Sequence, residues 1–513
     1  MSHRPTIVVV DFGSQYSQLI TRRLRELGAF SELITPAMSE SLRGREDLAG
    51  IILSGGPSSV SEAEAPGSGG TLVGLGKPVL GICYGMQLMA QELGGKVERA
   101  KGREYGDARL EIAVQSRLFH STPALQNVWM SHGDQVTKVP EGFKVTAQSE
   151  DGVIAAMADE LRGFYALQFH PEVSHTQYGM HILENFVRTI CKVEEGWDRG
   201  SFIEEEIASI RKKVGEDRVL CAVSGGVDST VMAVLVDRAV GPQLTAVFVD
   251  NGLLRQGEAP RVAKRLGALL HHRLQVVDAR ETFLKRLKGV TDPEEKRRII
   301  GHTFIDVFEE AAKAHGPFKF LAQGTLYPDR IESLSVKGPS HVIKTHHNVG
   351  GLPERLGFEL IEPLAELFKD EVRAIGAQLN ISSELLTRHP FPGPGLAVRC
   401  LGEVDEERLS LLRQADAIFI EELRRSGLYD RIWQAGAVLL PLKSVGVMGD
   451  ARSYESVVAL RAVTSVDAMT ADWARIPDEV LARVSSRIVR EVPGVNRVVY
   501  DISSKPPSTI EWE

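Results

Sequence analysis

Two long stretches of this sequence alternate short apolar runs with helix-like segments, and this alternation constrains the fold more than any other feature. In the first stretch, from residue 6 to about 190, apolar runs fall at 7–10, 50–53, 78–82 and 163–169. The second stretch begins near residue 218 and has runs at 219–223, 244–249, 274–277 and 318–322. Short apolar strands separated by helices are typical of parallel sheets that helices cover on both faces. The sequence therefore predicts an α/β protein with two doubly wound parallel-sheet domains in series.

Two breaks in this alternation divide the chain. The charged segment 192–200 lacks periodicity, and the proline-rich segment 389–395 cannot form a helix or a central strand, so each marks a boundary. Beyond the second boundary the sequence predicts helices at 406–425 and 477–492 and strands at 437–447, 456–463 and 498–502. We therefore predict three domains, at 1–197, 198–389 and 390–513, the last a small α+β unit.

The balance of charges and the cysteine pattern exclude several classes of protein. The chain has 60 basic and 68 acidic side chains and a net charge of −8, whereas a dedicated nucleic-acid binder carries a basic excess. No apolar run approaches the roughly 20 residues that cross a bilayer, and the N-terminal run is typical of a strand rather than a signal peptide. The four cysteines form no CxxC pair, which argues against a zinc ribbon or a disulfide framework. We expect a cytoplasmic protein without nucleic-acid or membrane partners.

Cys83 occupies a position that is typical of a nucleophile. The sequence Gly-Ile-Cys-Tyr-Gly at 81–85 lies between a predicted strand and a predicted helix, as in the G-x-S-x-G elbow of α/β-hydrolases. Its glycines permit a turn tight enough to expose the central side chain, and the helix N-terminus favours the thiolate. By itself, a cysteine is more often a small buried hydrophobic residue.

A base and its orienting partner follow a later predicted strand. His170 and Glu172 flank a proline, and this i, i+2 spacing on an extended backbone points both side chains to the same side. Acyl transfer also requires backbone N–H donors for its negatively charged intermediate. Gly56, in the Ser-Gly-Gly-Pro sequence at 54–57, and Tyr84 are the expected donors. Three such fragments, each directly after a strand, indicate a Cys-His-Glu hydrolytic site.

These motifs resemble the class I glutamine amidotransferases, in which a Cys-His-Glu triad hydrolyses the side-chain amide of glutamine and releases ammonia. The resemblance rests on Gly-Ile-Cys-Tyr-Gly-Met-Gln, Ser-Gly-Gly-Pro and Phe-His-Pro-Glu. It implies that Cys83 is the nucleophile, His170 the base and acid, and Glu172 its orienting group. It also implies a glutamine pocket lined by Gln87, Ser131, His132 and Gly133.

A glycine-rich loop after the first strand of the second stretch is typical of a pyrophosphate site. Its residues are Ser224, Gly225, Gly226, Val227, Asp228, Ser229 and Thr230. The two glycines let the backbone approach an anion, and the following helix adds exposed N–H groups. The lysine of a P-loop is missing, which favours holding pyrophosphate as a leaving group over transfer of the terminal phosphoryl group. Mg²⁺ would offset charge mainly through the phosphates, with Asp228 as a candidate neighbour and no certain protein ligand.

This loop resembles that of the N-type ATP pyrophosphatases, which adenylate a substrate oxygen and release pyrophosphate. The sequence Phe-Val-Asp-Asn-Gly at 248–252 ends the next strand, where a parallel sheet receives its nucleotide. A simple turn explains the same residues equally well. An amidotransferase joined to an adenylating domain implies that ammonia displaces AMP from an activated oxygen.

The remaining motifs resemble the glutamine-hydrolysing GMP synthetases over essentially the full length. They lie at 295–301, 321–325, 343–353, 388–395 and 505–513. The resemblance implies that ATP, with Mg²⁺ and no redox cofactor, adenylates XMP at its C2 oxygen, and that ammonia then yields GMP. It implies a lid over ATP and XMP that contains Lys344, and a homodimer formed through the third domain. The XMP-binding residues that it implies are Arg297, Arg388, Gln434, Lys505 and Glu511.

Alternatives remain at this point. Another N-type ATP pyrophosphatase would share the loop, but tRNA thiolation usually needs paired cysteines and RNA-binding charge, and NAD synthetases resemble the chain only around the loop. A non-catalytic nucleotide- or glutamine-sensing protein would lose its catalytic atoms first, yet both motifs are intact. For the tail at 505–513, a frayed terminus is the alternative to a role in binding.

Overall fold

The computed structural model of the chain separates into two compact units, Met1–Phe202 and Ile203–Glu513. It describes residues 5–14, 16–62, 65–68, 73–173, 175–194, 199–271, 273–329, 357–448, 451–465 and 470–513. Within these residues, no helix combines the length and apolar character that crossing a membrane requires. The domain boundary predicted at 197/198 lies outside the described residues. The one predicted at 389/390 falls inside the second unit and stays a prediction.

The first unit is built on a single sheet of nine strands. In chain order they are β1 (Thr6–Val10), β2 (Phe30–Ile34), β3 (Leu48–Leu53), β4 (Val79–Ile82), β5 (Lys96–Ile112), β6 (Leu125–Lys138), β7 (Lys144–Ser149), β8 (Ile154–Asp159) and β9 (Phe164–Leu167). Their order in the sheet is β2-β1-β3-β4-β9-β8-β7-β5-β6. Five neighbouring strands of the sheet, in the order β2-β1-β3-β4-β9, pair in parallel. The remaining strands, β8, β7, β5 and β6, continue the sheet in antiparallel pairs. The α-helices are α1 (Ser17–Glu26), α2 (Tyr84–Glu92) and α3 (Gly179–Glu184).

Apolar runs predict only the parallel part of this sheet, because its two parts bury their strands differently. β1 is buried at all five positions, as expected for a parallel strand with both faces covered. β6 instead alternates between exposed and buried positions along most of its length. A strand with one solvated face carries no continuous apolar run, so the antiparallel strands between residues 96 and 159 escape a search for such runs.

The second unit contains a five-stranded parallel sheet. Its strands are β10 (Val219–Ala222), β11 (Leu244–Asp250), β12 (Leu274–Asp278), β13 (Phe320–Ala322) and β14 (Glu359–Ile361), in the order β12-β11-β10-β13-β14. All its strand pairs are parallel. The chain runs outward from β10 to β12 and then continues on the other side of β10. Such a switch point is where open α/β sheets bind their ligands.

The helices that connect and flank these strands agree with the predicted alternation. They are α4 (Arg199–Val214), α5 (Val227–Val240), α6 (Glu258–Leu269), α7 (Arg280–Leu287), α8 (Pro293–Ala314), α9 (Lys369–Gln378) and α10 (Ser383–Leu386). The predicted linker at 192–200 extends slightly too far, because α4 already begins at Arg199.

The C-terminal part adds a smaller mixed sheet and two amphipathic helices. The strands are β15 (Gln434–Met448), β16 (Ala451–Thr464), β17 (Asp472–Trp473) and β18 (Val495–Tyr500), and the helices are α11 (Glu406–Arg425) and α12 (Asp478–Glu491). β16 pairs antiparallel with β15 and β17 and parallel with β18. One hydrophobic core joins Leu220 of β10, Phe419 of α11 and Val458 of β16. The predicted fold class, with parallel-containing sheets followed by an α+β part, is confirmed.

Candidate active sites

The strand order of the first unit brings the three hydrolytic motifs together. β3, β4 and β9 are neighbours, and the Ser-Gly-Gly loop, Cys83 and His170 each follow the carboxyl end of one of them. Cys83 has a positive φ of 54° between β4 and α2. A Cβ at Gly81 would lie 2.6 Å from the carbonyl oxygen of Gly85, and a Cβ at Gly85 would overlap the backbone of the adjacent strand. Both glycines of the elbow are therefore required for steric reasons.

Cys83, His170 and Glu172 are in contact with one another. Nδ1 of His170 lies 2.7 Å from Oε1 of Glu172. The sulfur of Cys83 is close enough to the imidazole to raise its pKa. The Cys83 Sγ lies 3.5 Å from the carbonyl oxygen of Ser131. Each of the three side-chain groups belongs to a residue that is at most 5% exposed. The structure thus places the predicted nucleophile, base and orienting group in one buried cluster.

The electrostatics around Cys83, His170 and Glu172 favour a charged imidazole. Burial by itself lowers the pKa of His170. The negative charge of Glu172, its hydrogen bond and the sulfur of Cys83 outweigh that effect and raise the pKa well above its ordinary value. An imidazolium beside Cys83 stabilises a sulfur anion, which is the nucleophilic form of cysteine. The same imidazolium can donate a proton to a departing amine.

The predicted oxyanion donors, Gly56 and Tyr84, lie beside the cluster of Cys83, His170 and Glu172. A Cβ at Gly55 would lie 3.2 Å from Cε1 of His170, and one at Gly56 would lie 2.7 Å from the carbonyl oxygen of Phe12. The N–H of Gly56 donates no hydrogen bond within the part of the chain that the structure describes. Tyr84 is the first residue of α2, so its N–H is among those that a helix leaves unpaired. The Tyr84 side chain is buried, and burial raises its pKa to about 12.

The residues predicted to line the glutamine pocket gather on β6 and α2. Ser131 contacts the Cys83 sulfur through its carbonyl oxygen, and Gly133 borders open space, because a Cβ there would meet no atom within 4 Å. Gln87 Nε2 donates to the carbonyl oxygen of Asp134 over 2.8 Å, and Nδ1 of His132 lies 3.0 Å from the same oxygen. Gln87 and His132 thus fix the carbonyl group of Asp134, at the end of the β6 segment 131–134 that lies beside Cys83.

The glycine-rich loop of the second unit follows β10 at the switch point of its sheet. Gly225 has a positive φ of 76°, and a Cβ there would lie 2.7 Å from Val262, so glycine is required. The Ser224 N–H donates to the hydroxyl of Ser229 over 3.2 Å. Thr230 Oγ1 donates to the carbonyl oxygen of Gly226, the N-cap of α5, over 2.7 Å. The loop therefore presents its backbone at the N-terminus of a 14-residue helix, which suits an anion.

Lys369 supplies a cation beside this loop, and no sequence motif predicts it. It is the first residue of α9, and its Nζ lies 2.7 Å from Oδ1 of Asp228. Asp228 is thus paired with a lysine that is distant in the chain. The described residues contain no group of three His, Cys, Asp or Glu side chains that could hold a metal ion. One carboxylate fits a Mg²⁺ ion that nucleotide phosphates hold, and does not fit a protein-made cage.

Arg388, one of the predicted XMP residues, lies against the same loop. Its Nη1 donates to the carbonyl oxygen of Gly225 over 3.0 Å, and its guanidinium forms an ion pair with Glu258. Burial, together with the charge of Arg255, lowers the pKa of Arg388 to about 10. Its guanidinium therefore lies beside the predicted pyrophosphate loop.

The Asp-Asn-Gly sequence that ends β11 forms a turn. The N–H of Gly252 donates to Oδ1 of Asp250 over 3.0 Å, and the N–H of Leu253 donates to Oδ1 of Asn251 over 2.9 Å. Side chains that bond their own backbone in this way are typical of Asx turns. Of the two interpretations of this segment, the structure favours the turn.

The other predicted XMP residues contact or belong to the C-terminal tail. Both carboxylate oxygens of Glu511 bond Arg399, over 2.7 and 2.9 Å, and Gln434 Nε2 donates to one of them. Arg297 donates to the main-chain oxygen of Glu513 over 2.5 Å. Lys505 exchanges two backbone hydrogen bonds with Ala471. Gln434 and Glu511 are therefore in contact, whereas Arg297 meets the end of the tail and Lys505 joins the start of the tail to Ala471. Lys344, predicted in the ATP lid, lies outside the described residues.

The tail is anchored by side chains of the second unit, so the frayed-terminus alternative is wrong. Glu513 pairs with the fully buried Lys296 over 2.5 Å, and Trp512 Nε1 donates to Asp501 over 2.9 Å. Arg461, which is 5% exposed, donates to the carbonyl oxygen of Thr509 over 3.0 Å. These contacts hold the tail at several points along its length.

Comparison with known proteins accounts for the whole chain. The family model for class I glutamine amidotransferases matches residues 8–190, and that for the C-terminal domain of GMP synthase matches residues 421–512. A glutamine-hydrolysing GMP synthase from Aquifex aeolicus (strain VF5) is 58% identical over 516 residues, which is 100% of each chain. The chain belongs to the family of glutamine-hydrolysing GMP synthases.

Further relatives agree with this assignment. Glutamine-hydrolysing GMP synthases from a Nitratiruptor species and from Geobacillus kaustophilus are each 58% identical and cover 99% of both chains. The GMP synthase family was the resemblance expected from the sequence, and it is confirmed. The tRNA thiolation and NAD synthetase alternatives are therefore wrong.

Proposed function

We propose that this chain makes GMP from XMP, ATP and glutamine, with release of AMP, pyrophosphate and glutamate. The observation that carries the proposal is the contact between Cys83, His170 and Glu172 in a chain 58% identical over its full length to glutamine-hydrolysing GMP synthases. A protein of this family that had kept only a sensing role would not need these three side chains to lie together.

The first step releases ammonia in the first unit. The Cys83 thiolate attacks the carbonyl carbon of the glutamine side-chain amide, and the N–H groups of Gly56 and Tyr84 stabilise the resulting oxyanion. His170 then donates its proton to the amide nitrogen, which leaves as ammonia. His170 next takes a proton from water, whose oxygen displaces the sulfur and yields glutamate. Glu172 keeps the imidazole oriented and balances its charge.

The second step activates the acceptor in the second unit. The C2 oxygen of XMP attacks the α-phosphorus of ATP, the bond to the β-phosphate breaks, and pyrophosphate leaves. The loop at 224–230 and Lys369 are suited to hold that pyrophosphate, because backbone N–H groups, hydroxyls and a cation converge there. Mg²⁺ enters as the MgATP complex. Ammonia then attacks C2, and AMP leaves with the former C2 oxygen.

A homodimer is supported by an exposed apolar face of the C-terminal sheet. Val445 of β15 lies directly opposite Tyr454 of β16, and Val447 lies two residues further along the same face. These side chains belong to residues that are 51%, 60% and 76% exposed. Grouped exposed apolar side chains of this kind mark contact surfaces. Val447→Glu should lower the sedimentation coefficient towards that of a monomer, and an unchanged coefficient would remove this face from the interface.

A product assay tests the proposed reaction. Purified protein receives glutamine, ATP and Mg²⁺ together with XMP, IMP or deamido-NAD, and GMP, AMP, ADP and pyrophosphate are quantified. We expect GMP, AMP and pyrophosphate in equal amounts when XMP is the acceptor, and no amination of IMP or deamido-NAD. Formation of ADP, or amination of another acceptor at the same rate, would contradict the proposal.

A further inference from the structure

Glu511 is held by a guanidinium that belongs to neither of the predicted substrate sites. Arg399 bonds it through Nε and Nη2, over 2.9 and 2.7 Å, in the two-point geometry that fixes a carboxylate plane. Burial raises the pKa of Glu511, but the charge and hydrogen bonds of Arg399 outweigh burial and lower it. Glu511 is therefore an ionised acceptor of hydrogen bonds with a fixed direction.

Arg399 is itself fixed from its other sides. It is 2% exposed, its Nη1 lies 3.8 Å from Asp416, and its Cζ lies 5.4 Å from the centre of the Phe391 ring. A Cβ on Gly436 would lie 2.7 Å from its Cζ, so the guanidinium fills the space beside the neighbouring strand that a side chain at 436 would need. A rigid guanidinium holds a carboxylate at lower entropic cost than a flexible ammonium.

The contact borders a small cavity in which donor and acceptor groups meet. Arg399, Gln434, Gly436, Ile510 and Glu511 are among its lining residues, and its volume is about 10 Å³, close to the room that one water molecule needs. Arg399 Nη1 has no hydrogen-bond partner among the described residues. A purine base does not fit within this volume, so the cavity itself is not the acceptor site.

We propose that Arg399 is a positioning residue for the acceptor nucleotide: it orients Glu511 so that the carboxylate accepts hydrogen bonds from the N–H or ribose O–H groups of XMP. This inference rests on the proposed function. Arg399 does not touch the acceptor in this proposal and acts only through Glu511. Its loss should therefore weaken use of XMP and leave ATP binding and glutamine hydrolysis unchanged.

The test is a double-mutant cycle in the ammonia-dependent reaction. Arg399→Lys should raise the KM for XMP about tenfold or more, the usual effect of losing a hydrogen bond to a charged group, and leave the KM for ATP within about twofold. In the Glu511→Gln background the same change should add less than about twofold. The proposal would be overturned if the increases in the KM for XMP caused by the two single substitutions multiplied in the double variant. It would also be overturned if Arg399→Lys raised the KM values for XMP and ATP in parallel. With 2′-deoxy-XMP as acceptor, a reduced penalty identifies the ribose as the donor, and an unchanged one identifies the base.

Arg487→Lys is the matched control. Arg487 bonds Glu422, a residue 3% exposed, over 2.7 Å in the same unit, and neither residue is among the predicted substrate residues. It should leave both KM values unchanged. Where Arg399→Lys lowers the unfolding midpoint, Asp416→Asn provides a second variant: it removes the other partner of Arg399, and a rise confined to the KM for XMP supports the proposal while no rise contradicts it. A wild-type protein that does not aminate XMP refutes the proposed function, whereas an active one with an unaltered KM in Arg399→Lys refutes only the inference.

Discussion

The two candidate sites handle charge in opposite ways. In the first unit the charges of the reaction neutralise one another: His170 lies between Glu172 and the sulfur of Cys83. In the second unit the cations near the predicted nucleotide sites pair with carboxylates that are not nucleophiles or bases. Lys369 pairs with Asp228, Arg388 with Glu258, and Arg399 with Glu511.

This difference follows from the charge of the substrates. The side-chain amide of glutamine is neutral, so a triad with fixed internal charges is complementary to the intermediate and needs no rearrangement. ATP and XMP bring several negative charges, and the cations that meet them must be kept in place inside the protein. A buried cation without a partner is costly, and a carboxylate offsets that cost. We therefore expect the phosphates of the proposed substrates to compete with these carboxylates for the cations.

Removal of the nucleophile should give the largest effect. Cys83→Ala should lower glutamine-dependent formation of GMP by more than about 10⁴-fold, because no other group can form the thioester. With ammonium as the nitrogen source the rate should stay within about twofold. Both rates are measured as GMP formed at saturating XMP and ATP.

Cys191→Ala is the control for this experiment. Cys191 also belongs to the first unit, but burial raises the pKa of its thiol and no base lies beside it among the described contacts. Both rates should remain at the wild-type level. Equal loss of the two activities in Cys83→Ala would show that the two units do not divide the reaction as proposed.

Removal of the orienting charge should have the next largest effect, and it depends on pH. Glu172→Gln should lower glutaminase kcat by roughly 10³-fold, since the imidazole loses its orientation and its counter-charge. Because Glu172 raises the pKa of His170, the imidazolium of the variant should lose its proton at a lower pH. The alkaline limb of the pH profile of kcat/KM should therefore shift to lower pH.

The same variant should change the pH dependence of stability. A group whose pKa is raised on folding stabilises the protein fully below its unfolded pKa, and this contribution is lost as pH rises through the folded value. The wild-type protein should therefore lose stability between the ordinary pKa of histidine and the raised pKa of His170. Urea unfolding of Glu172→Gln should show a flatter dependence over this range. An unchanged slope and an unchanged alkaline limb would mean that Glu172 does not set the charge of His170.

A paired carboxylate of the second unit should matter less. Asp228→Ala should reduce pyrophosphate release by about 10²-fold, the usual effect of losing one electrostatic contact in a polar active site. Glutamine hydrolysis should be unchanged. Asp278→Ala is the matched control, because Asp278 ends a strand of the same parallel sheet and also pairs with a cation, Arg280, over 2.5 Å. Equal effects of the two substitutions would assign Asp228 to general charge balance.

The sequence predicts some parts of this molecule far better than others, for physical reasons. Motifs that lie between a strand and a helix, such as the elbow at Cys83, are local, and the parallel sheets then bring them together. The helix at 406–425 is predicted with its observed bounds because its apolar periodicity and its N-cap, Asp405, agree. Lys369 is not predicted because it meets Asp228 across 141 residues, and no local pattern signals such a contact. Arg399 is missed for the same reason: it follows a proline-rich segment and contacts Glu511 across 112 residues.

The smallest expected effect concerns the anchor of the tail, and it tests whether the paired charges or the tail's outer contacts hold Glu511. Trp512 is 40% exposed and donates through Nε1 to Asp501 over 2.9 Å, whereas Glu511 is held by the buried Arg399. Trp512→Phe removes this donor and retains an aromatic ring, so the free energy of unfolding of the second unit should fall by about 1 kcal/mol or less, measured by urea denaturation. The KM for XMP should rise less than about twofold, because Arg399 still orients the carboxylate. A tenfold rise would mean that the outer contact of the tail, and not the buried ion pair, fixes the acceptor site.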